Sequence, residues 1–263
     1  MRVAKQQVAV SVSTVHRIVR KQLKLYPYKI QIVHALKPAD YQKRQNFAVA
    51  ILERIAAEPA YLNKIVFTDE VTFHISGRFH RHNVRIWGDT NPHVVQEHER
   101  DSPKVNVWGG LFHDQVIGPY FFEEDTIHQQ NFLDMLIHFA LPQLQLRPRQ
   151  RNMIFQLDGA PAHWGLQVHA FLNTHFPQRW IGRDGPTPWP PRSPDLTPCD
   201  FFLWGFIKTR VFRSPVHDIR ELRDRITKAF AEVTNDMLTN TWREMETRLQ
   251  ELAANGGGHV EVY

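Results

Sequence analysis

The residues in this sequence with the clearest potential for chemistry are four aspartates that lie where apolar segments meet turn residues. Asp69 stands in VFTDE at the end of an apolar run, and Asp158 directly follows the apolar run MIFQL. Asp195 and Asp200 lie close together in SPDLTPCDFF. A carboxylate inside or just after an apolar strand is costly to bury unless it is paired, hydrogen-bonded or bound to a metal. Each aspartate could instead cap its own turn, so no single one establishes a site.

The prolines of SPDLTP decide how the last two aspartates are presented. Proline lacks an N–H donor and restrains the residue before it, so no helix runs through this segment. Pro198 suits the first position of a helix, which places Asp200 in the first turn. Thr197 and Asp200 also fit a capping box, which would make Asp200 a structural carboxylate. Asp195 lies in a tight turn where aspartate needs no function, so Asp200 is the better candidate for a metal ligand.

Asp69, Asp158 and Asp200 together predict a metal site for chemistry at phosphorus. Two divalent ions held by shared aspartates can activate a water or hydroxyl and stabilise the leaving oxygen of an in-line displacement. Magnesium suits such a site because it prefers oxygen ligands and keeps several waters.

The elements that would position these aspartates are strands followed by alternating strands and helices. A strand meander is predicted for KIVFTDEVTFHI, RHNVRIWG, KVNVWGGLF and GPYFFEE. HQQNFLDMLIHFALPQL predicts a helix, and the strands RNMIFQL and RWIG flank a helix in LQVHAFLNTHF. A helix from Pro198 to about Phe212 and long helices over residues 218–253 complete the chain. This order predicts an α/β fold with a mixed sheet covered by helices.

The charge of the chain is concentrated at its N-terminus. The 263 residues carry a net charge of +5, and residues 1–47 contain ten Lys and Arg against the single acid Asp40. This predicts a nucleic-acid partner, with a solvated basic face as the alternative. The lone Cys199 excludes an internal disulfide and is typical of a reducing compartment. No apolar run is long enough to span a membrane, so no membrane partner is expected.

The segment VAVSVSTVHRIVRKQL predicts a turn followed by a DNA-recognition helix, capped by Ser11 or Ser13. Val15, Ile18, Val19 and Leu23 form its apolar stripe. The opposite face holds the candidate DNA contacts Ser13, Thr14, His16, Arg17, Arg20 and Lys21. Any amphipathic helix with a basic face would share this pattern.

Five segments together resemble the Tc/mariner superfamily of DNA transposases, specifically the mariner-like class with three aspartates. They are VFTDEVTFHISG, RHNVRIWG, SPKVNVWGGL, QLDGAPAHW and WPPRSPDLTPCDFFLWGFIK, in that order. The resemblance extends from about residue 8 to the end. It implies a partial helix-turn-helix over residues 1–24 and a ribonuclease-H-like catalytic domain over 61–255. The residues themselves predict a linker, punctuated by prolines, and a helix over 25–60, and a loose tail over 256–263.

The resemblance also implies a mechanism and partners. Asp69, Asp158 and Asp200 would be the catalytic residues and the ligands of Mg²⁺ or Mn²⁺, with two ions in the site. The chemistry would be nicking of double-stranded DNA at the terminal inverted repeats of a transposon, followed by attack of the freed 3′-hydroxyl on target DNA. A homodimer and a nuclear location are further implications.

His163 and the loop Trp189–Arg192 lie near these motifs and are further candidates for the site. His163 matches a family position near the site, where it would contact a phosphate or metal-bound water, or else hold the loop by a hydrogen bond. Most tryptophans are expected in core or loop packing. The loop Trp189–Arg192 is the best candidate for stacking on DNA bases, and Arg192 is a candidate DNA contact.

The chain begins inside what resembles the second of two helix-turn-helix units, so the first would be missing. An N-terminally shortened transposase is therefore the leading expectation. The alternative is a relic that retains only DNA binding. Another ribonuclease-H-like nuclease is disfavoured by the string SPDLTPCDFFLWG.

Overall fold

The structure, a computed structural model, describes residues 11–23, 34–76, 102–146 and 152–260. The chain divides into two compact units, residues 1–33 with 78–98 and residues 34–77 with 99–263.

The described part of the first unit is a short helix. Helix α1 spans Val12–Arg17 and continues as a π-helical turn over Ile18–Gln22. Ser11 caps α1, since its Oγ accepts a hydrogen bond from the backbone N–H of Thr14 at 3.1 Å. The predicted helix is confirmed and its cap is Ser11, while the predicted strand RHNVRIWG lies outside the described residues.

The second unit contains a mixed sheet. Its described strands are β1 (Ile65–His74), β2 (Lys104–Phe112), β3 (Gln115–Phe122), β4 (Ile154–Gln156), β5 (Trp180–Gly182) and β6 (Thr187–Pro188). Their order in the sheet is β3-β2-β1-β4-β5-β6. The first three form an antiparallel meander, and β4, β5 and β6 run parallel to β1. The predicted mixed sheet is therefore confirmed, with shorter strands after β3 than the apolar runs indicated.

Helices cover the sheet, as the sequence predicts. They are α2 (Pro38–Ala57), α3 (Gln129–Met135), α4 (Leu141–Gln145), α5 (Leu166–His175), α6 (Trp204–Val211), α7 (Ile219–Ala231) and α8 (Asn235–Ala254). A π-helical turn over Leu136–Ala140 joins α3 to α4, and another over Cys199–Leu203 leads into α6. Within the described ranges, none of the helices combines the length and apolarity that crossing a membrane requires.

The sheet separates two hydrophobic cores. Successive side chains of a strand point to opposite faces, so Val66 and Phe67 of β1 enter different cores. Phe67 packs in the core that also contains residues of α2, α6, α7 and α8. Val66 packs in the core built with α3, α4 and α5. The first aspartate, two residues after Phe67, therefore faces the α6 layer.

The C-terminal segment and α2 belong to the same unit as the sheet. Helix α2 packs along α8. The fully buried Arg44 of α2 donates hydrogen bonds to the carbonyls of Gly257 and Gly258 at 2.8 and 3.0 Å. Val260 is also buried. The prediction of a loose tail is thus wrong for residues 256–260, because backbone carbonyls there satisfy a buried guanidinium; residues 261–263 lie outside the described part.

Candidate active site

Asp69 is a buried carboxylate on β1, an interior strand of the sheet, at the level where the neighbouring strand β4 ends. Its Oδ2 accepts a hydrogen bond from the indole Nε1 of Trp204 at 2.6 Å. The residue opposite Asp69 on β2 is Gly109. A Cβ at Gly109 would lie 3.2 Å from the Trp204 ring and 2.9 Å from Phe230, so the glycine leaves room for the indole to approach the strand. This contact explains how an apolar strand tolerates the aspartate.

Asp158 leaves the sheet beside Asp69. In the parallel pairing of β1 and β4, Phe67 lies opposite Gln156, and each aspartate follows two residues later. The Oδ1 of Asp158 accepts from the backbone N–H of Ala160 at 2.8 Å, as in a turn-capping aspartate. It also lies 2.9 Å from Nδ1 of His163. Asp158 therefore has both of the roles considered for it: it caps its own turn, and it belongs to the cluster of acidic side chains.

Asp200 comes to the same place from the helical layer. The π-helical turn that carries it is fixed to β1, since Sγ of Cys199 donates to the carbonyl of Phe67 at 3.5 Å. No side chain caps this helix, and Thr197 Oγ1 instead donates to the carbonyl of Ser193 at 3.4 Å. The predicted capping box of Thr197 and Asp200 is not formed. The structure therefore does not support the interpretation of Asp200 as a carboxylate that caps its helix.

Electrostatics also tie the three carboxylates together. Burial, followed by the charges of Asp200, Glu70 and Asp158, raises the pKa of Asp69 well above its usual value. Desolvation and repulsion from Asp158 raise the pKa of Asp200, although part of its side chain is open to solvent. Lys208 offsets part of this charge. Its own pKa is lowered by desolvation, against the attraction of Asp200 and Asp69.

Asp158 differs from the other two because a cation already faces it. Burial alone would raise the pKa of Asp158, but the hydrogen bond and charge of His163 hold it below its usual value. His163 is buried and lies 3.2 Å from Glu70 Oε2 through its Nε2. The ring of Phe132 packs against it at 4.3 Å between centroids. The alternative in which His163 holds the loop by a hydrogen bond is thus realised in this structure.

Glu70 is a member of this site that the sequence analysis missed. It follows Asp69 and points to the opposite face, where it meets His163. Its Oε1 is buried without a hydrogen-bond partner. A cavity of about 310 Å³ opens there, lined by both residues of the Asp69–Glu70 pair and by Asp158. The signal in the sequence that could have identified Glu70 is its position directly after Asp69 in VFTDE.

The donor set suits a hard divalent cation. Across the described residues, no three His, Cys, Asp or Glu side chains stand as a ready set of metal ligands. The carboxylate of Asp69 is engaged by Trp204, and that of Asp158 by His163. Carboxylates held close enough to raise one another's pKa are nevertheless what such a cation stabilises. Asp69, Asp158 and Asp200 offer oxygen ligands only, which fits Mg²⁺ or Mn²⁺.

Asp195 is held by hydrogen bonds and an ion pair that stabilise the fold. Arg44 Nη1 and Nη2 donate to its Oδ1 and Oδ2 at 2.9 and 2.5 Å, and the backbone N–H of Val260 donates to Oδ2 at 3.1 Å. Arg248 donates to its carbonyl at 2.7 Å. The preference for Asp200 over Asp195 as the ligand agrees with this geometry.

The loop Trp189–Arg192 does not offer a stacking surface. Trp189 is buried between Phe47 and Phe67, with ring centroids at 5.1 and 6.5 Å. The expectation that Trp189 stacks on bases is therefore wrong, because the apolar core takes its ring. Arg192 Nη1 pairs with Asp40 at 2.5 Å, and its assignment as a DNA contact stays a prediction.

The remaining candidate DNA contacts lie in the first unit. Ser13, His16, Arg17 and Lys21 are exposed and Thr14 is partly exposed. The side chain of Arg20 lies outside the described part. Leu23, assigned to the apolar stripe, is 58% exposed. The structure brings Asp69, Asp158 and Asp200 together in the second unit. The candidate DNA contacts are described only within the first unit.

The fold and this acidic edge define a ribonuclease-H-like protein with a three-carboxylate site. The family model of the DDE superfamily endonuclease matches residues 64–223, a stretch that includes all three aspartates. The chain belongs to this family. Among curated protein sequences, none matches the chain.

Solved structures of Mos1 transposase share the fold. The Mos1 paired-end complex with the left transposon end has a TM-score of 0.71 at 20% identity, covering 98% of this chain and 74% of that one. The mariner Mos1 paired-end complex with Mg gives 0.73 at 20% identity with the same coverage. The catalytic domain of Mos1 mariner transposase gives 0.68 at 19% identity, covering 88% of this chain and all of that one. The ribonuclease-H-like fold implied by the motifs is thereby confirmed.

Proposed function

We propose that this protein is a metal-dependent DNA transposase of the Tc/mariner type, which cuts DNA at transposon ends and joins the freed ends to target DNA. The observation that carries the proposal is geometric: Asp158 lies beside Asp69 in the pairing of β1 with β4, and the turn that carries Asp200 is tied to β1 by Cys199. All three aspartates lie inside the part that matches an endonuclease family. The similarity in fold to mariner transposase complexes supports the same function.

The chain's own residues prepare the site for phosphoryl chemistry. Asp69 and Asp200 approach from β1 and the α6 layer, and Asp158 from the loop after β4. Mg²⁺ or Mn²⁺, as two ions, would supply an activated nucleophile and stabilise the leaving oxygen. His163 and Trp204 orient two of the three carboxylates by hydrogen bonds, so these ligands are held before any cation binds.

The proposed partners are the terminal inverted repeats of a transposon and a target duplex. The basic, exposed residues Arg17 and Lys21 of the first unit suit contacts to DNA. The neighbouring Mos1 structures are paired-end and strand-transfer complexes, which supports pairing of two ends by a homodimer. The work of such an enzyme implies a nuclear location.

Plasmid nicking by the purified chain, with Mg²⁺ or Mn²⁺, tests the proposal. Asp69→Asn, Asp158→Asn and Asp200→Asn should each lower the nicking rate by at least about a hundredfold, because a ligand worth several kcal/mol is lost at nearly constant shape. The matched control is Asp224→Asn, whose side chain is exposed on α7. It should nick at the wild-type rate.

Two results would overturn the proposal. A folded, DNA-binding wild-type chain that nicks with neither metal would mean a protein that only binds DNA. Triad variants that nick as fast as wild type would place the chemistry elsewhere. Circular dichroism of each variant establishes that the fold is retained.

A further inference from the structure

Trp164 and Arg183 form an exposed pair beside the second aspartate, here called the rim pair. Trp164 is 44% exposed. The Arg183 guanidinium carbon lies 3.9 Å from the centroid of its ring. The indole Nε1 of Trp164 donates to the carbonyl of Gly159 at 3.0 Å. Because the ring is held both at its nitrogen and by the guanidinium, its exposed part is presented in one orientation.

The rim pair lies at the catalytic edge of the sheet. Trp164 ends the 3₁₀ turn Pro161–Trp164 and is bonded to Gly159, the residue directly after Asp158. Arg183 directly follows β5, which runs parallel to β4. Since the carboxyl ends of parallel strands meet at the same edge, both residues flank the loop that carries Asp158.

The exposure of Trp164 sets it apart from the other described tryptophans. Trp108, Trp180, Trp189, Trp204 and Trp242 are all at most 9% exposed. Their indoles stabilise the fold by burial, whereas nearly half of Trp164 remains in water. An aromatic ring beside an exposed cation is the combination that binds single-stranded nucleic acid, because the ring stacks on a base and the cation pairs with phosphate.

We propose that the rim pair binds the DNA strand next to the scissile phosphate, with an unpaired base stacked on Trp164 and a phosphate paired with Arg183. This inference rests on the proposed function, since it assigns the strand that Asp69, Asp158 and Asp200 would cut. It adds a preference for DNA that is locally unpaired at the cleavage point.

Equilibrium binding without divalent metal tests the rim pair apart from cleavage. The probes are a fluorescein-labelled forked duplex with a single-stranded arm and the same sequence fully paired. Trp164→Ala should weaken binding to the fork about tenfold and leave the paired duplex little changed, while Trp164→Phe should keep most of the fork affinity. Arg183→Gln should lower the salt-dependence slope for the fork by about one.

The control variant is Tyr41→Ala, which removes an aromatic side chain of the same 44% exposure from α2. It should bind both probes as wild type does. If Trp164→Ala loses no more fork affinity than Tyr41→Ala, or loses affinity equally for both probes, the rim pair does not bind an unpaired strand.

Nicking assays on the same proteins separate this inference from the proposed function. A wild-type chain that nicks, with fork binding independent of Trp164, would overturn the rim pair and leave the transposase function standing. Fork binding that depends on Trp164 in a chain that never nicks would overturn the function and retain the DNA contact.

Discussion

Replacing Asp195 with asparagine tests whether this aspartate is structural despite its place in the same segment as Asp200. Its partner Arg44 is fully buried and pairs with both carboxylate oxygens. Asparagine keeps the shape of the side chain but removes the counter-charge of a guanidinium that water cannot reach. The variant should therefore lose stability and keep its chemistry.

The expected loss follows from the contacts that remain. Removing one partner of a buried ion pair costs about 3–5 kcal/mol. Arg44 would keep the carbonyls of Arg192, Gly257 and Gly258 and the hydroxyl of Ser193 as acceptors, so the lower end, about 3 kcal/mol, is expected. For a domain of this size that corresponds to a fall in melting temperature of about 6–12 °C.

Thermal and urea unfolding of wild type, Asp195→Asn and Glu123→Gln measure the effect. Glu123 is the matched control because its pair with Arg223 at 3.0 Å is exposed, and exposed pairs contribute little. Below its unfolding transition, Asp195→Asn should still nick DNA. An unchanged unfolding midpoint, or a fully folded variant that cannot nick, would refute the structural role of Asp195.

Three further predictions concern the residues that hold the site. Trp204→Phe should lower the free energy of unfolding by about 1–3 kcal/mol, because the buried Asp69 carboxylate loses its indole donor; metal-free urea unfolding measures this, and an unchanged midpoint would contradict it. Burial alone would lower the pKa of His163, but its acidic neighbours raise it to about 10. The pairing of protonated His163 with these neighbours therefore stabilises the folded state fully below about pH 6.5, and this contribution is lost as the pH rises through about 10. Glu70→Gln should shift that loss to lower pH in metal-free protein, and identical pH profiles of the unfolding midpoint would disprove the coupling. Cys199, which is fully buried, should react with a thiol reagent only as the protein unfolds in urea, and rapid labelling of the native chain would show that α6 opens locally.

The sequence predicted the elements and the segments that carry the three aspartates because both depend on local pattern. The run of β-branched and aromatic residues identified β1, and the abrupt change at Asp158 and Gly159 identified the end of β4. Pro198 correctly marked where the helix with Asp200 begins. Parallel strands bring their ends to one edge, so two of the three aspartates could be placed together before the structure was known.

The contacts that support these ligands were not predictable because they join distant parts of the chain. Trp204 meets Asp69 across 135 residues and Arg44 meets Asp195 across 151. The Thr197–Asp200 spacing fitted a capping box, yet Thr197 bonds Ser193 instead, since the preceding turn offers a nearby carbonyl. Local spacing states which bonds are possible, and the packing of the loop decides which one forms.

Each carboxylate of the site is fixed by a residue that is not itself a ligand candidate. Trp204 bonds the carboxylate of Asp69, and His163 bonds that of Asp158. Cys199 ties the turn that carries Asp200 to the neighbouring strand. Mutual repulsion would drive these groups apart in the absence of a cation, so the fold must hold them by such contacts. The geometry of the site is therefore a property of the surrounding packing, and substitutions at Trp204 or His163 should disturb catalysis without removing any aspartate.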